Sequence, residues 1–340
     1  MIALCAALVL WALAGPISGT RPVGDGSDPT TYGFDLSSDR FDGAVLAASG
    51  HARDFLVALD DPEVTAGIEM TQVNRRQRGK EIVTTDRVVG LTVGGESRAY
   101  PLSLLNAHEI VNDTLGGVPI AVTFSPLADA PVVVDRRLGD RVAQFRVSGL
   151  VLDSTLLIYD AEEPVERRSL WSPLRGQAVS GPAAAAEQQL VRLPDVQLVA
   201  WRDWLATHPN TTVARRDPAT AGRYKKLDYQ RYLDGPGPIM PVGRMPPAGE
   251  PKAMAPMIVL MRGDDTLLRS VDALVAGGPR IDAKIDGEPV SFVPDEATGT
   301  VRIEAPAGTL ILHGLWFALH SAEPTVAALA FDDRRAEANR

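Results

Sequence analysis

The densest polar cluster in an otherwise apolar stretch is Asn106-Ala107-His108-Glu109-Ile110-Val111-Asn112-Asp113. On a helix, His108 and Asn112 stand at i and i+4 and share one face, while Glu109 and Asp113 share the next. A His followed by Glu opens the zinc-protease helix His-Glu-x-x-His. Here Asn112 holds the second His position, and a neutral amide oxygen is a poor zinc ligand. The structural alternative is that His108 hydrogen-bonds the following loop and that Asn112-Asp113 end the helix and satisfy its carbonyls. A second candidate is Ser125-Pro126-Leu127-Ala128-Asp129, directly after an apolar strand. A serine at a strand end can be a nucleophile. This one lacks the Gly-x-Ser-x-Gly elbow, and Pro126 removes the N–H that an oxyanion hole would use. Ser148-Gly149 and Asp153-Ser154 bracket a short apolar step and read as turn residues. Trp171-Ser172, Trp201 and Trp204 read as core.

The elements that must position these residues are short. Phe55 to Leu59 is an apolar element ending at Asp60-Asp61-Pro62, followed by a short helix. Arg87 to Val93 and Ser97 to Tyr100 form a hairpin about Gly94-Gly95. Pro101 opens a helix in which Leu102, Leu105 and Ile110 or Val111 recur at roughly helical spacing. Gly116-Gly117 ends it, and a meander follows: Val118 to Phe124, Pro131 to Asp135, Arg141 to Val147 and Leu156 to Tyr159. Ala183 to Gln189 is a short helix or a loose connection. Val199 to Thr207 is an amphipathic helix stopped by Pro209. Leu233 to Pro256 is rich in proline and glycine and reads as a linker. Short strands follow from Met257, with a mostly apolar run from Thr309 to His320. The fold class expected is α+β, rich in antiparallel strands and hairpins with a few short helices. The expected organisation is a leader (1–14), an extended segment (15–50), a main domain (51–232), a linker (233–256) and a small β-rich region (257–340).

Bulk composition agrees with a globular chain. Of 340 residues, 45% are hydrophobic and 23% charged, and 26 prolines with 30 glycines favour many turns. The net charge of −9 argues against nucleic acid as a partner, since the densest basic cluster is only Arg75, Arg76, Arg78 and Lys80. Ile2 to Ala14 is an apolar run of signal-peptide length, with Ala12-Leu13-Ala14 as the cleavage pattern. No Lys or Arg precedes the run, so an uncleaved anchor is the alternative. The one cysteine, Cys5, lies within it. The expected mature protein is exported, periplasmic or extracellular. It has no disulfide, no thiolate ligand, no cysteine nucleophile and no transmembrane domain.

Taken in order, several short motifs resemble the bacterial family called domain of unknown function 3179. They begin with Arg98-Ala99-Tyr100-Pro101, His108-Glu109-Ile110-Val111-Asn112-Asp113, Gly116-Gly117-x-Pro119 and Val122-Thr123-Phe124. They continue with Ser148-Gly149-Leu150, Asp153 to Asp160 and Ser169-Leu170-Trp171-Ser172. Trp201-x-x-Trp204, His208-Pro209-Asn210-Thr211 and Tyr224, Tyr229 and Tyr232 complete the pattern. The resemblance covers roughly residues 50 to 235. It implies a Cys-Pro-Leu-Cys segment where this chain has Ser125-Pro126-Leu127-Ala128, with a glycine at Asp129. Paired thiols near a histidine imply metal or redox chemistry in typical members, which this chain cannot perform in the same way. The expected pocket residues are His108, Glu109, Asn112, Asp113, Ser125, Asp129, Ser148, Ser154 and Trp171. No catalytic residue and no cofactor follow. The leading expectation is a thiol-free, non-catalytic member that binds a small ligand or a protein partner. One alternative is an enzyme whose metal is held by His108, Glu109 and Asp129, with Ser125. Another is an envelope structural or interaction module that uses exposed Trp or Tyr.

Overall fold

The computed structural model describes residues 22–37, 41, 43–76, 80–220, 224, 229–249 and 251–327. The apolar run Ile2 to Ala14, with Cys5, lies outside them. Among the described residues, no helix is long and apolar enough to cross a membrane. Strands dominate, most pair antiparallel, and the helices are short.

A four-stranded sheet lies at the centre, in the order Leu59–Asp60, Ile110–Leu115, Val118–Ser125, Ala130–Asp135. Only its first pair is parallel. Both faces are covered, so its strands read as near-continuous apolar runs. Ala121, Val132 and Val134 face one core, which also holds Phe145, Trp171, Trp316 and Phe317. Ile120, Val122, Phe124 and Val133 face the other, with Leu91, Tyr100, Leu104 and Leu105. The alternation follows from the two-residue period of a strand.

The hairpin Arg87–Val93 and Glu96–Pro101 turns at Gly94-Gly95, as its sequence demands. It packs backbone to backbone against the next hairpin turn. A Cβ on Gly116 would collide with the Val93 carbonyl oxygen, so only glycine fits there. A five-stranded antiparallel sheet carries the family motifs between 145 and 178, in the order Leu46–Ala48, Phe145–Leu152, Thr155–Asp160, Leu170–Ser172, Gln177–Ala178.

The helix after Pro101 is shorter than its spacing predicts. It covers Leu102–His108 and stops at Glu109, which takes a left-handed φ of 57° and donates its N–H to Leu105. The strand Ile110–Leu115 begins at once. β-Branched Ile110 and Val111 favour extended backbone, and pairing of Ile110 with Thr123 and of Asn112 with Ala121 continues the sheet. His108 and Asn112 therefore share no helix face, and Asn112-Asp113 do not end the helix.

The proline-rich stretch after Leu233 forms no helix or strand among the described residues up to Pro256. Yet Val242, Ala253, Met254 and Ala255 pack on the central core. The strand Leu310–Leu315 and the helix Trp316–Ala322 join that core too, and Leu315 donates its N–H to Ala128 at 2.7 Å.

Candidate functional site

The helix Leu102–His108 ends against the turn 125–129, and a hollow of about 380 Å³ opens beside them. Ser103 and Asn106 border it from the helix, Phe124, Pro126 and Asp129 from the sheet end, and Arg216, Tyr224 and Tyr229 from the later chain.

The turn is rigidly held. Tyr232 donates its hydroxyl to the Leu127 carbonyl at 2.7 Å, Ala128 accepts the Leu315 N–H, and Asp129 takes a two-point ion pair from Arg87 at 2.6 and 2.9 Å. Asp129 has a left-handed φ of 47°, a conformation aspartate tolerates better than most residues.

His108 is buried behind Tyr224. Its Nδ1 lies 2.7 Å from the Val57 carbonyl, which can only accept, so Nδ1 carries a proton. Its Nε2 lies 2.7 Å from the Tyr224 hydroxyl, whose oxygen accepts the Asp217 N–H at 2.9 Å. In the neutral tautomer Tyr224 thus donates to His108. Burial pushes the Tyr224 phenol up. Burial also pushes the Glu109 carboxyl up to about 8, and the phenol of neighbouring Tyr229 up to about 12, with Glu109 adding to the latter. Burial therefore favours the neutral form of the Glu109 carboxyl.

Arg216 lies over the Tyr224 ring at 5.2 Å and donates Nη2 to the Ser103 hydroxyl at 2.9 Å. Its Nε and the Asn106 Oδ1 are buried with no hydrogen-bond partner.

The remaining candidates lie elsewhere. Ser125 follows Phe124 on the strand, so it points to the opposite face. There its hydroxyl accepts the Leu156 N–H at 3.1 Å and borders a separate small void. Asn112 binds Asp60 and both the N–H and the carbonyl of Phe145, and Asp113 binds Arg98, Tyr100 and its neighbour's N–H. Ser148 donates to Leu157 at 2.6 Å and accepts from Leu150, closing the irregularity between Val147 and Val151. Trp171 borders a different hollow of about 630 Å³, where Arg141 is paired with Asp160 and Glu163.

Ser154 shares a tight turn with Asp153, both at positive φ. Its hydroxyl is buried near Tyr232, outside hydrogen-bonding geometry. Asp153 is the busier residue. It pairs with buried Arg175 at 2.9 Å and accepts the N–H groups of Val45 and Gly243, tying three distant segments together.

The nine expected pocket residues therefore do not meet in one cavity. Asp129 borders the hollow, His108 and Glu109 stand just behind its aromatic wall, and the other six are buried in the frame or face other spaces. His108, Glu109 and Asp129 form no group able to hold a metal ion; among the described residues there is no such group of three His, Cys, Asp or Glu. Arg216 escaped the sequence reading altogether. Tyr224 entered it only as part of a motif, and the Arg215-Arg216-Asp217-Pro218 run gave no sign that one arginine would have no carboxylate among the described residues.

No curated protein and no solved structure matches the chain. The model of the family described as protein of unknown function (DUF3179) matches residues 54–313, which is more than half of the chain and runs through the proline-rich stretch. The chain belongs to that family.

Proposed function

We propose that this protein is an exported, thiol-free member of its family that binds a small ligand without turning it over, in the hollow between the helix Leu102–His108 and the turn 125–129. One observation carries the reading: the two positions where the resemblance implies cysteines are absorbed into the frame. Ala128 is fully buried with its carbonyl bonded to Leu315, and the Ser125 hydroxyl is turned away from the hollow onto Leu156. What borders the hollow instead is recognition chemistry: amides, hydroxyls, phenols, guanidinium groups and the carboxylates of Asp86 and Asp129. The four described tryptophans, Trp171, Trp201, Trp204 and Trp316, are all buried, which favours a ligand over a module that docks through exposed tryptophan.

The test is a small-molecule screen on the purified full chain, read by thermal shift and confirmed by calorimetry. Binding is expected, and Ser103→Trp, which fills the hollow, is expected to abolish it while circular dichroism stays unchanged. Robust turnover of any substrate, lost in Ser103→Trp, would overturn the non-catalytic reading. Export is tested by the mass of the protein recovered from cells: Gly15 as first residue supports cleavage, and an intact chain in the membrane fraction supports an anchor.

A further inference from the structure

We infer that the ligand of the hollow beside the helix Leu102–His108 is a small molecule with one carboxylate, held by Arg216 while aromatic and apolar walls take its body. This rests on that hollow being a ligand site.

The charges around the hollow are unequal in their partners. Arg87 is neutralised by Asp129 through two hydrogen bonds. Arg216 has no carboxylate partner among the described residues. Its guanidinium is half-buried and held in place by the Tyr224 face and the Ser103 hydroxyl, with Nε buried and without an acceptor. Among the described residues this cation has a hydroxyl acceptor but no counter-charge, and an anionic ligand supplies that charge. Its positioning is established before any ligand arrives, so little side-chain freedom is lost on binding.

The same walls limit the anion's charge. Asp86 and Asp129 both border the hollow, and Asp86 accepts the Val83 N–H without a basic partner among the described residues. A doubly charged phosphate would meet two carboxylates and only one uncompensated guanidinium. A single carboxylate offsets Arg216 and adds less negative charge beside Asp86 than a phosphate would. Asp86 is the rival anchor, since it could draw an amine, but its carboxylate is already engaged by a backbone donor, whereas the Arg216 Nε has none. Phe124, Tyr229 and Leu233 complete the wall and favour a flat, partly apolar body.

Four probes with one aromatic ring separate these cases: benzoate, benzamide, phenyl phosphate and benzylamine, each titrated calorimetrically into the full chain. Benzoate is expected to bind. Replacing its carboxylate by the neutral amide, or Arg216 by Gln, is expected to weaken binding roughly 10-fold or more, with part of the affinity kept in Arg216→Lys. Melting curves establish that both variants are folded. Benzamide as tight as benzoate, or benzoate unaffected by Arg216→Gln, would overturn the inference. Tighter phenyl phosphate would replace carboxylate by phosphate, and tighter benzylamine would move the anchor to Asp86; either result overturns it as stated. If screened neutral compounds fill the hollow and benzoate does not, this inference fails while the ligand-binding reading stands. If nothing binds, both fail.

Discussion

Two polar regions only a few residues apart in sequence are built on opposite terms. In the first, Asp113 lies under the sheet, only 4% exposed, and receives Arg98, Tyr100 and the Thr114 N–H. Beside it, Asn112 uses both ends of its amide on Asp60 and Phe145. Each of these side chains has its partners, though Arg136, which donates Nη2 to the Asp113 carbonyl, has a buried Nε with no partner among the described residues. In the second, around the hollow, Arg216 has no carboxylate and the Asn106 Oδ1 no donor among the described residues. Buried polar groups are nearly always paired in native proteins, so unpaired ones mark either strain or an absent partner. Frame residues such as Ser154 and Trp316 also carry a partnerless buried atom, so what separates the hollow from the frame is a cation without a counter-charge among the described residues. The motif His108 to Asp113 straddles that border, with its first two residues beside the hollow and its last two in the frame.

The largest effect should fall on the frame. Asp113→Ala leaves the Tyr100 hydroxyl buried without an acceptor and Arg98 without its counter-charge, and urea denaturation should show a loss of about 3–5 kcal/mol. A loss below about 1 kcal/mol would mean that this network is solvated and that the contrast with the hollow is false. Asn112→Leu removes the hydrogen bonds to Asp60 and Phe145, so the same measurement should give a loss of roughly 2–3 kcal/mol.

Glu109 sits on the border and sets a pH dependence. Burial raises its folded pKa to about 8, above the ordinary glutamate value of 4.5, so the folded state holds the proton more tightly than the unfolded chain. Stability from this group is greatest below the unfolded pKa and falls as pH rises towards the folded one. Glu109→Gln should therefore be more stable than the parent at alkaline pH, and the gain should vanish in acid. The full shift sets a ceiling of about 5 kcal/mol, and partial solvent contact reduces the expected gain to roughly 1–3 kcal/mol. A gain that is the same at both ends of the pH range would place the carboxyl in water.

The smallest stability effect should come from the hollow. Arg216→Gln breaks no ion pair among the described residues, only the Ser103 hydrogen bond and the Tyr224 ring contact, and should cost about 1 kcal/mol or less of stability, while ligand binding suffers. A loss as large as that of Asp113→Ala would make Arg216 part of the frame.

Much of the fold was legible. Gly94-Gly95 specified the first hairpin because two successive left-handed residues are what its turn requires. The run Val118 to Phe124 read as a strand because its residues are apolar and mostly β-branched. The reading failed at Glu109. A helix usually signals its end with glycine, and here a glutamate takes the left-handed position. The apolar spacing of Leu102, Leu105 and Ile110 then continued a helix that pairing with Val118–Ser125 had already claimed as strand. The hollow was less legible still. His108 and Tyr224 are 116 positions apart, and only long-range packing brings them within hydrogen-bonding distance.

By itself the sequence determined the chain's inventory: one cysteine, confined to the apolar run Ile2 to Ala14, and a strand-end turn that carries Ser125 and Ala128. Composition settles which functional groups exist, because no fold can create a side chain. Only the tertiary structure decided how they are used. The strand's two-residue period turned Ser125 away from Phe124, and long-range contacts paired Arg87 with Asp129 while giving Arg216 a hydroxyl and an aromatic face and, among the described residues, no carboxylate. Pairing depends on distances between groups far apart in sequence, and those distances exist only after the chain has folded.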